Sequence, residues 1–270
     1  MADLVTVAGM SHAPMMLATP ESAPDDQRRR FFSGVAEATS AARGADAVVI
    51  CSNEHFTNFF YDHMPAFCVG VGESHLGPVE EWLGIPQGEV PGHAALATEV
   101  MQGLIATGFE PSFSHELKLD HGVMTVYHAL SPDGLLPLVP LIQNCAVAPM
   151  PSLRRCFELG RALGDVLRRA TSVGRVAVVG AGGLSHWVGA PRVGEIDEGF
   201  DRWFLDHLAR GEVDDVLDMP DAELEQAGNG AHEIRSWLTA AGVAWPQPAR
   251  VLAYEPIQSW ITGMAVAVFG

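Results

Sequence analysis

Three short apolar runs in this sequence are each followed within a few residues by a histidine, and that recurrence constrains the fold more than any other feature. Leu4-Val5-Thr6-Val7-Ala8 runs into Gly9-Met10-Ser11-His12, and Ala47-Val48-Val49-Ile50-Cys51 runs into Ser52-Asn53-Glu54-His55. Arg175-Val176-Ala177-Val178-Val179 passes through Gly180-Ala181-Gly182 to Gly183-Leu184-Ser185-His186. Short β-branched runs bounded by Gly and Ser read as strands of a parallel sheet covered by helices on both faces. Ligands bind such sheets at the carboxyl ends of the strands, so the three imidazoles are expected to converge there.

The intervening sequence supplies the crossovers. Helices are expected over 27–43, 92–107, 123–130 and 151–170, the last being the clearest amphipathic stretch, with Leu153, Phe157, Leu163 and Leu167 on one stripe. Further strands are expected over 66–71, 136–142, 249–254 and 264–269; Pro137 and Pro140 sit awkwardly in the second of these. The Gly-, Pro- and Glu-rich run 72–91 reads as loop. Helical, acidic segments over 195–210, 213–217, 221–226 and 231–240 suggest a helical appendage near the active edge. The expected architecture is one α/β sandwich domain over 1–270. It has a central, mostly parallel or mixed sheet, helices on both faces and a helical segment near the C-terminus.

Composition narrows the partners. Thirty-three acidic residues against sixteen Lys plus Arg give a formal charge of -17, which repels phosphate backbones and anionic membrane surfaces. Nucleic acid and membrane are therefore not expected as partners. The start of the chain lacks the basic residues of a signal peptide, no apolar run approaches ~20 residues, and a cytoplasmic protein is expected. Cys51, Cys68, Cys145 and Cys156 form no C-x-x-C pair, which disfavours a zinc knuckle or a disulfide framework.

A metal site would need an acid beside the histidines, and Glu233 in Asn229-Gly230-Ala231-His232-Glu233 is the candidate. It falls in the first turn of an expected helix capped by Asn229, where a carboxylate can equally serve the helix dipole. Two neutral imidazoles and one carboxylate leave coordination positions open, an arrangement suited to non-haem Fe(II). Other chemistries fit less well. Ala13 and Trp187 stand where a G-x-S-x-G elbow needs its last glycine. Gly180-Ala181-Gly182-Gly183 lacks the third glycine of a dinucleotide loop, and neither His115-Glu116 nor His232-Glu233 continues into H-E-x-x-H.

Ser11-His12-Ala13-Pro14, His55 with Asn58-Phe59-Phe60-Tyr61-Asp62, Met64-Pro65-Ala66-Phe67-Cys68, Asp120-His121-Gly122, Gly182-Gly183-Leu184-Ser185-His186 and His232-Glu233-Ile234 together resemble the class III extradiol ring-cleavage dioxygenases. The resemblance runs from the first strand past Tyr254-Glu255-Pro256. It implies His12, His55 and Glu233 as ligands of Fe(II) (Mn(II) being the open alternative), His186 as catalytic base, and His121 as a second active-site histidine used as acid or for positioning. It also implies a small aromatic diol and O₂ as substrates, a muconic semialdehyde-type product, and a homo-oligomer or a small capping subunit closing the site. His63, His115 and His128 have no role in that pattern, and His232 at most supports its neighbour. The chain carries no segment resembling the small capping subunit. Two other readings stay open: a binding or scaffold protein on the same fold, and a zinc or manganese hydrolase. Arg192, Arg235 and Lys118 are the basic residues that could meet a carboxylated ring.

Overall fold

The computed structural model describes residues 1–270. The chain begins with β1 (Asp3–Met10), a single helical turn α1 (Met15–Ala18) and the crossover helix α2 (Asp25–Ala41). Then come β2 (Ala47–Asn53) and β3 (Phe67–Gly70), followed by β4 (Ser74–Gly77) and β5 (Gly88–Pro91), which pair as a separate antiparallel hairpin. Next are α3 (Ala94–Ala106), β6 (Ser112–Ser114), α4 (His121–Leu130), β7 (Leu138–Gln143), α5 (Leu153–Arg169) and β8 (Arg175–Ala181). Four helices, α6 (Glu198–Arg210), α7 (Asp214–Leu217), α8 (Asp221–Leu224) and α9 (Ile234–Ala244), precede the closing strands β9 (Ala249–Ile257) and β10 (Thr262–Phe269).

Eight strands form one mixed sheet in the order β6-β3-β7-β2-β8-β1-β10-β9. Its middle four, β7, β2, β8 and β1, are mutually parallel, whereas β3 and β10 run antiparallel to their inner neighbours. The β-branched runs therefore occupy the most enclosed positions. Successive residues alternate between faces: Val49, Cys51, Val176 and Val178 join the core beneath α3, α5 and α9, while Val48, Ile50, Ala177 and Val179 join that beneath α2 and α4. Each buried Val or Ile among them contributes roughly 1.5–3 kcal/mol through loss of apolar contact with water. Pro140 is accommodated in β7 because β3 accompanies that strand only over Leu141–Gln143.

The fold differs from expectation in two places that matter for function. Within the run read as loop, β4 and β5 make a hairpin whose connecting segment carries Val79 to Trp82 toward the sheet's carboxyl edge, where they line a cavity. And α9 is no appendage, since every one of its residues is buried between the sheet and α5. From Trp237 onward its only polar side chain is Thr239, a composition that belongs in the interior, and the sheet is shaped to receive it. A Cβ on Gly9 of β1 would stand 2.1 Å from the Trp237 ring, and one on Gly180 of β8 would stand 2.2 Å from the Ser236 carbonyl oxygen. Both strands need glycine for α9 to lie this close.

Candidate metal centre

The carboxyl ends of β1, β2 and β8 meet the start of α9 at one point. His12 leaves β1, His55 follows β2, and the single 3-10 turn Ala231–Glu233 leading into α9 brings Glu233 between them. Glu233 Oε2 lies 3.2 Å from His12 Nε2, and Oε1 lies 3.6 Å from His55 Nε2 and 3.5 Å from His186 Nε2. The carboxylate also accepts the Gly183 N–H (2.6 Å) and the Asn53 side-chain amide (3.2 Å). Asn229 does not cap the helix; its side chain accepts from Val188 N and donates to Val188 O instead.

His121, the first residue of α4, completes the group. One donor nitrogen each from His12, His55 and His121 lies within 4.8 Å of the others, close enough to hold a metal ion. Carboxylates behind two of the rings, His55 and His121, orient them. Asp120 Oδ2 accepts from His55 Nδ1 (3.0 Å) and from the His55 backbone N–H (3.3 Å), while its Oδ1 caps α4 through Gly122 N (2.9 Å). Glu80 holds His121 in the same way, through Nδ1 and through the backbone N–H (2.6 Å). Such carboxylate–imidazole pairs fix the ring and turn Nε2 toward the centre, where that of His55 also lies 3.0 Å from the Asn53 side-chain amide nitrogen. His186 donates its Nδ1–H to Leu184 O at 2.8 Å, which presents its Nε2 to the centre likewise.

The electrostatics are those of a metal-binding set. Burial lowers His12 to about 3, so its imidazole is neutral with a lone pair to offer. Burial opposes a charged Glu233, but His12, His186 and His55 override it and hold the carboxyl well below its ordinary range. Asp120 is likewise brought down to about 2, His55 and the other imidazoles outweighing burial. Burial also opposes charge on His55, yet Asp120 and Glu233 raise it well above 6.5. His12 Nδ1 is buried without a partner. Neutral and carboxylate-backed imidazoles beside an ionised carboxylate fit a first-row divalent metal. A cavity of about 840 Å³ opens onto this centre, lined by His55, His121 and Glu233 at its floor and by Phe56, Tyr61 and Trp82 toward its rim.

The model of the catalytic LigB subunit of aromatic ring-opening dioxygenase matches residues 6–267 of the chain. The chain belongs to the LigB family. Curated relatives include the 2,3-dihydroxyphenylpropionate/2,3-dihydroxicinnamic acid 1,2-dioxygenases of Photorhabdus laumondii, 29% identical over 95% of this chain and 94% of that protein, and of Cupriavidus necator, 31% identical over 82% and 83%. Among solved structures, an uncharacterized protein of Escherichia coli K12, JW3007, superimposes with a TM-score of 0.65 at 17% identity. It covers 98% of this chain and 100% of that one, a likeness in fold.

All five residues singled out from the sequence of this LigB-family chain, His12, His55, His121, His186 and Glu233, stand around the one centre. The supporting acids Asp120 and Glu80 and the amide of Asn53 have no role assigned from the sequence, although Asp120 carries the local signature of a helix cap. His63 and His115 are exposed, while His128 is half-buried on α4. His232 meets Arg235: its Nδ1 lies 2.8 Å from a guanidinium nitrogen of that fully buried side chain, which is paired with Asp221 (2.5 Å). Ser11 and Ser185 are fully buried and bonded within the protein, Ser11 to β10 and Ser185 to Asp201, so neither is presented as a nucleophile. No helix is long and apolar enough to cross a membrane.

Proposed function

We propose that the chain is a non-haem Fe(II)-dependent extradiol dioxygenase, cleaving a catechol-type ring with O₂ to a muconic semialdehyde-type acid within one catalytic domain. His12, His55 and Glu233 would hold the iron. The observation that carries this reading is the Glu233 carboxylate set between His12 and His55, with His121 and His186 around the same cavity. When bound, Fe(II) supplies a centre that both ring oxygens and O₂ can reach and that makes the phenolic protons more acidic.

The protein's own groups then manage protons and position. His186, fixed by its bond to Leu184 O, offers Nε2 as the base for a phenolic proton. Glu233 raises its affinity for that proton against the opposing effect of burial. His121, held by Glu80, keeps its other nitrogen for delivering a proton to the departing oxygen or for positioning the ring. The aromatic side chains at the rim supply flat apolar walls and limit water around the diol. Exposed Tyr61 and Trp82 at the mouth support closure by a second copy or a small subunit, and four buried free thiols support a cytoplasmic location.

The relatives named above are 2,3-dihydroxyphenylpropionate dioxygenases, which directs the choice of test diols. Anaerobic loading with Fe(II), then a catechol panel followed by oxygen electrode and by absorbance of the yellow product, should show O₂ consumed in proportion to ring cleavage. Absence of uptake with every diol, together with unchanged metal content in His12→Ala, would overturn the proposal. Turnover independent of O₂ would point instead to hydrolysis.

A further inference from the structure

Lys118 is the only lysine in the chain, every other basic side chain apart from histidine being arginine. It is also the only Lys or Arg that lines the cavity. In a protein with a net charge of -17, cations tend to be taken up by acids, as Arg30 is by Glu255 and Arg175 by Asp46. Lys118 is exposed and forms no such pair.

Its backbone is nonetheless held on both sides. Asn58 Oδ1 accepts the Lys118 N–H (2.9 Å) and Asn58 Nδ2 donates to the Lys118 carbonyl (3.0 Å). Asn58 is fixed in turn by Glu54, whose carboxylate accepts its backbone N–H at 2.6 Å, and the neighbours Leu117 and Leu119 are buried. The lysine stem therefore leaves a rigid platform. The acids sharing the lining are otherwise engaged: Glu54 by backbone N–H groups of residues 57–59, Glu80 by His121, and Glu233 by the metal centre. Only Glu81, exposed at the rim, also lacks a partner.

We propose that Lys118 recognises an anionic arm on the substrate ring, so that the preferred diol carries a side chain ending in a carboxylate or a like anion. The inference rests on the ring-cleavage reading and narrows its substrate class. A compact ammonium on a flexible stem reads charge without demanding two-point geometry, so a sulfonate should serve as well as a carboxylate. Phe56, Tyr61 and Trp82 provide the apolar walls along which the arm would lie.

The Fe(II)-loaded protein is tested with 3-(2,3-dihydroxyphenyl)propionate and its uncharged propionamide, as wild type, Lys118→Gln and Lys118→Arg. Wild type should favour the acid, and K118Q should lower the acid-to-amide ratio of kcat/KM by about tenfold or more, chiefly through KM. K118R should retain most of the preference. A ratio equal in wild type and K118Q overturns the proposal. A second readout needs no turnover. Reductive methylation of the single lysine, followed by peptide mass, should be slowed by 3-phenylpropionate and by the matching sulfonate but not by 3-phenylpropionamide. Equal labelling with acid and amide overturns the proposal by itself. Should wild type consume no O₂ with either diol, the ring-cleavage reading fails, and the labelling still decides the role of Lys118.

Discussion

Glu233 Oε2 and His12 Nε2 stand 3.2 Å apart although the residues come from opposite ends of the chain, and the second carboxylate oxygen faces His55 and His186. One buried carboxylate thus organises imidazoles arriving from three strand ends. The contact depends on α9 lying inside the molecule, because the turn that bears Glu233 can reach the sheet edge only if the helix behind it packs directly on β1 and β8.

Two overlapping donor sets can be drawn here, the three imidazoles of His12, His55 and His121, or the first two with Glu233. The second predicts that His12→Ala, His55→Ala and Glu233→Gln each lower Fe(II) retention at least tenfold. His121→Ala should keep the iron and lose turnover. Metal content by plasma mass spectrometry after anaerobic loading and desalting decides between them. Iron loss from H121A equal to that from H12A would make His121 a ligand.

Asp120 should tune the affinity of the centre without touching the metal. Asp120→Asn can preserve the cap on α4 through its side-chain oxygen but removes the charge behind His55 Nδ1. Loss of such a partner typically weakens metal binding about 10–100-fold. Titration against a chelator of known affinity should show that decrease with the helix content unchanged. An affinity equal to wild type would mean that the Asp120 carboxylate serves only α4.

The strands and their histidines were legible because a strand buried on both faces must be apolar and rich in β-branched residues, as Ala47 to Cys51 and Val176 to Val179 are. Local sequence could not show which carboxylate joins them. Glu233 sits in a 3-10 turn rather than in a helix capped by Asn229, and its approach depends on α9 packing against strands remote in sequence. Glu80 was hidden for a similar reason. It follows the β4–β5 pairing's first strand in a run rich in Gly and Pro, where turn residues mask a four-residue strand. Residues 237–244 did carry a readable signal, Thr239 being their only polar side chain, which marks an interior element and not an appendage.

Asp201 should make stability fall as pH rises. It is fully buried, accepts from Ser185 N (2.7 Å), Ser185 Oγ (2.9 Å) and Tyr254 OH (2.8 Å), and burial pushes its carboxyl up to about 7 from 3.8. Between those values the folded protein keeps a proton that the unfolded chain releases, so this group costs stability progressively from about pH 4 to 7 and fully above. The cost is on the order of 4 kcal/mol. Asp201→Asn has no proton to lose, so its stability relative to wild type should improve between pH 5 and pH 8 by a few kcal/mol. Urea unfolding at the two values measures it, and an unchanged difference would show that Asp201 is ionised throughout.

Gly230 should control the placement of His186. A Cβ there would lie 2.0 Å from His186 Nε2 and 2.3 Å from Cδ2 and Cε1, while the Gly230 N–H donates to the His186 carbonyl at 3.1 Å. The backbone is anchored, so in Gly230→Ala the ring must give way. A displacement near 1 Å at a reacting group costs about 100-fold in rate, and the added methyl about 1–3 kcal/mol in stability. Iron retention should persist, since the three atoms nearest the methyl all belong to His186 and none to His12 or His55. The double variant separates placement from general damage. In a His186→Ala background no ring remains to displace, so G230A should then cost little further activity. An equal loss in both backgrounds would mean that Gly230 acts on the cavity by some route other than His186.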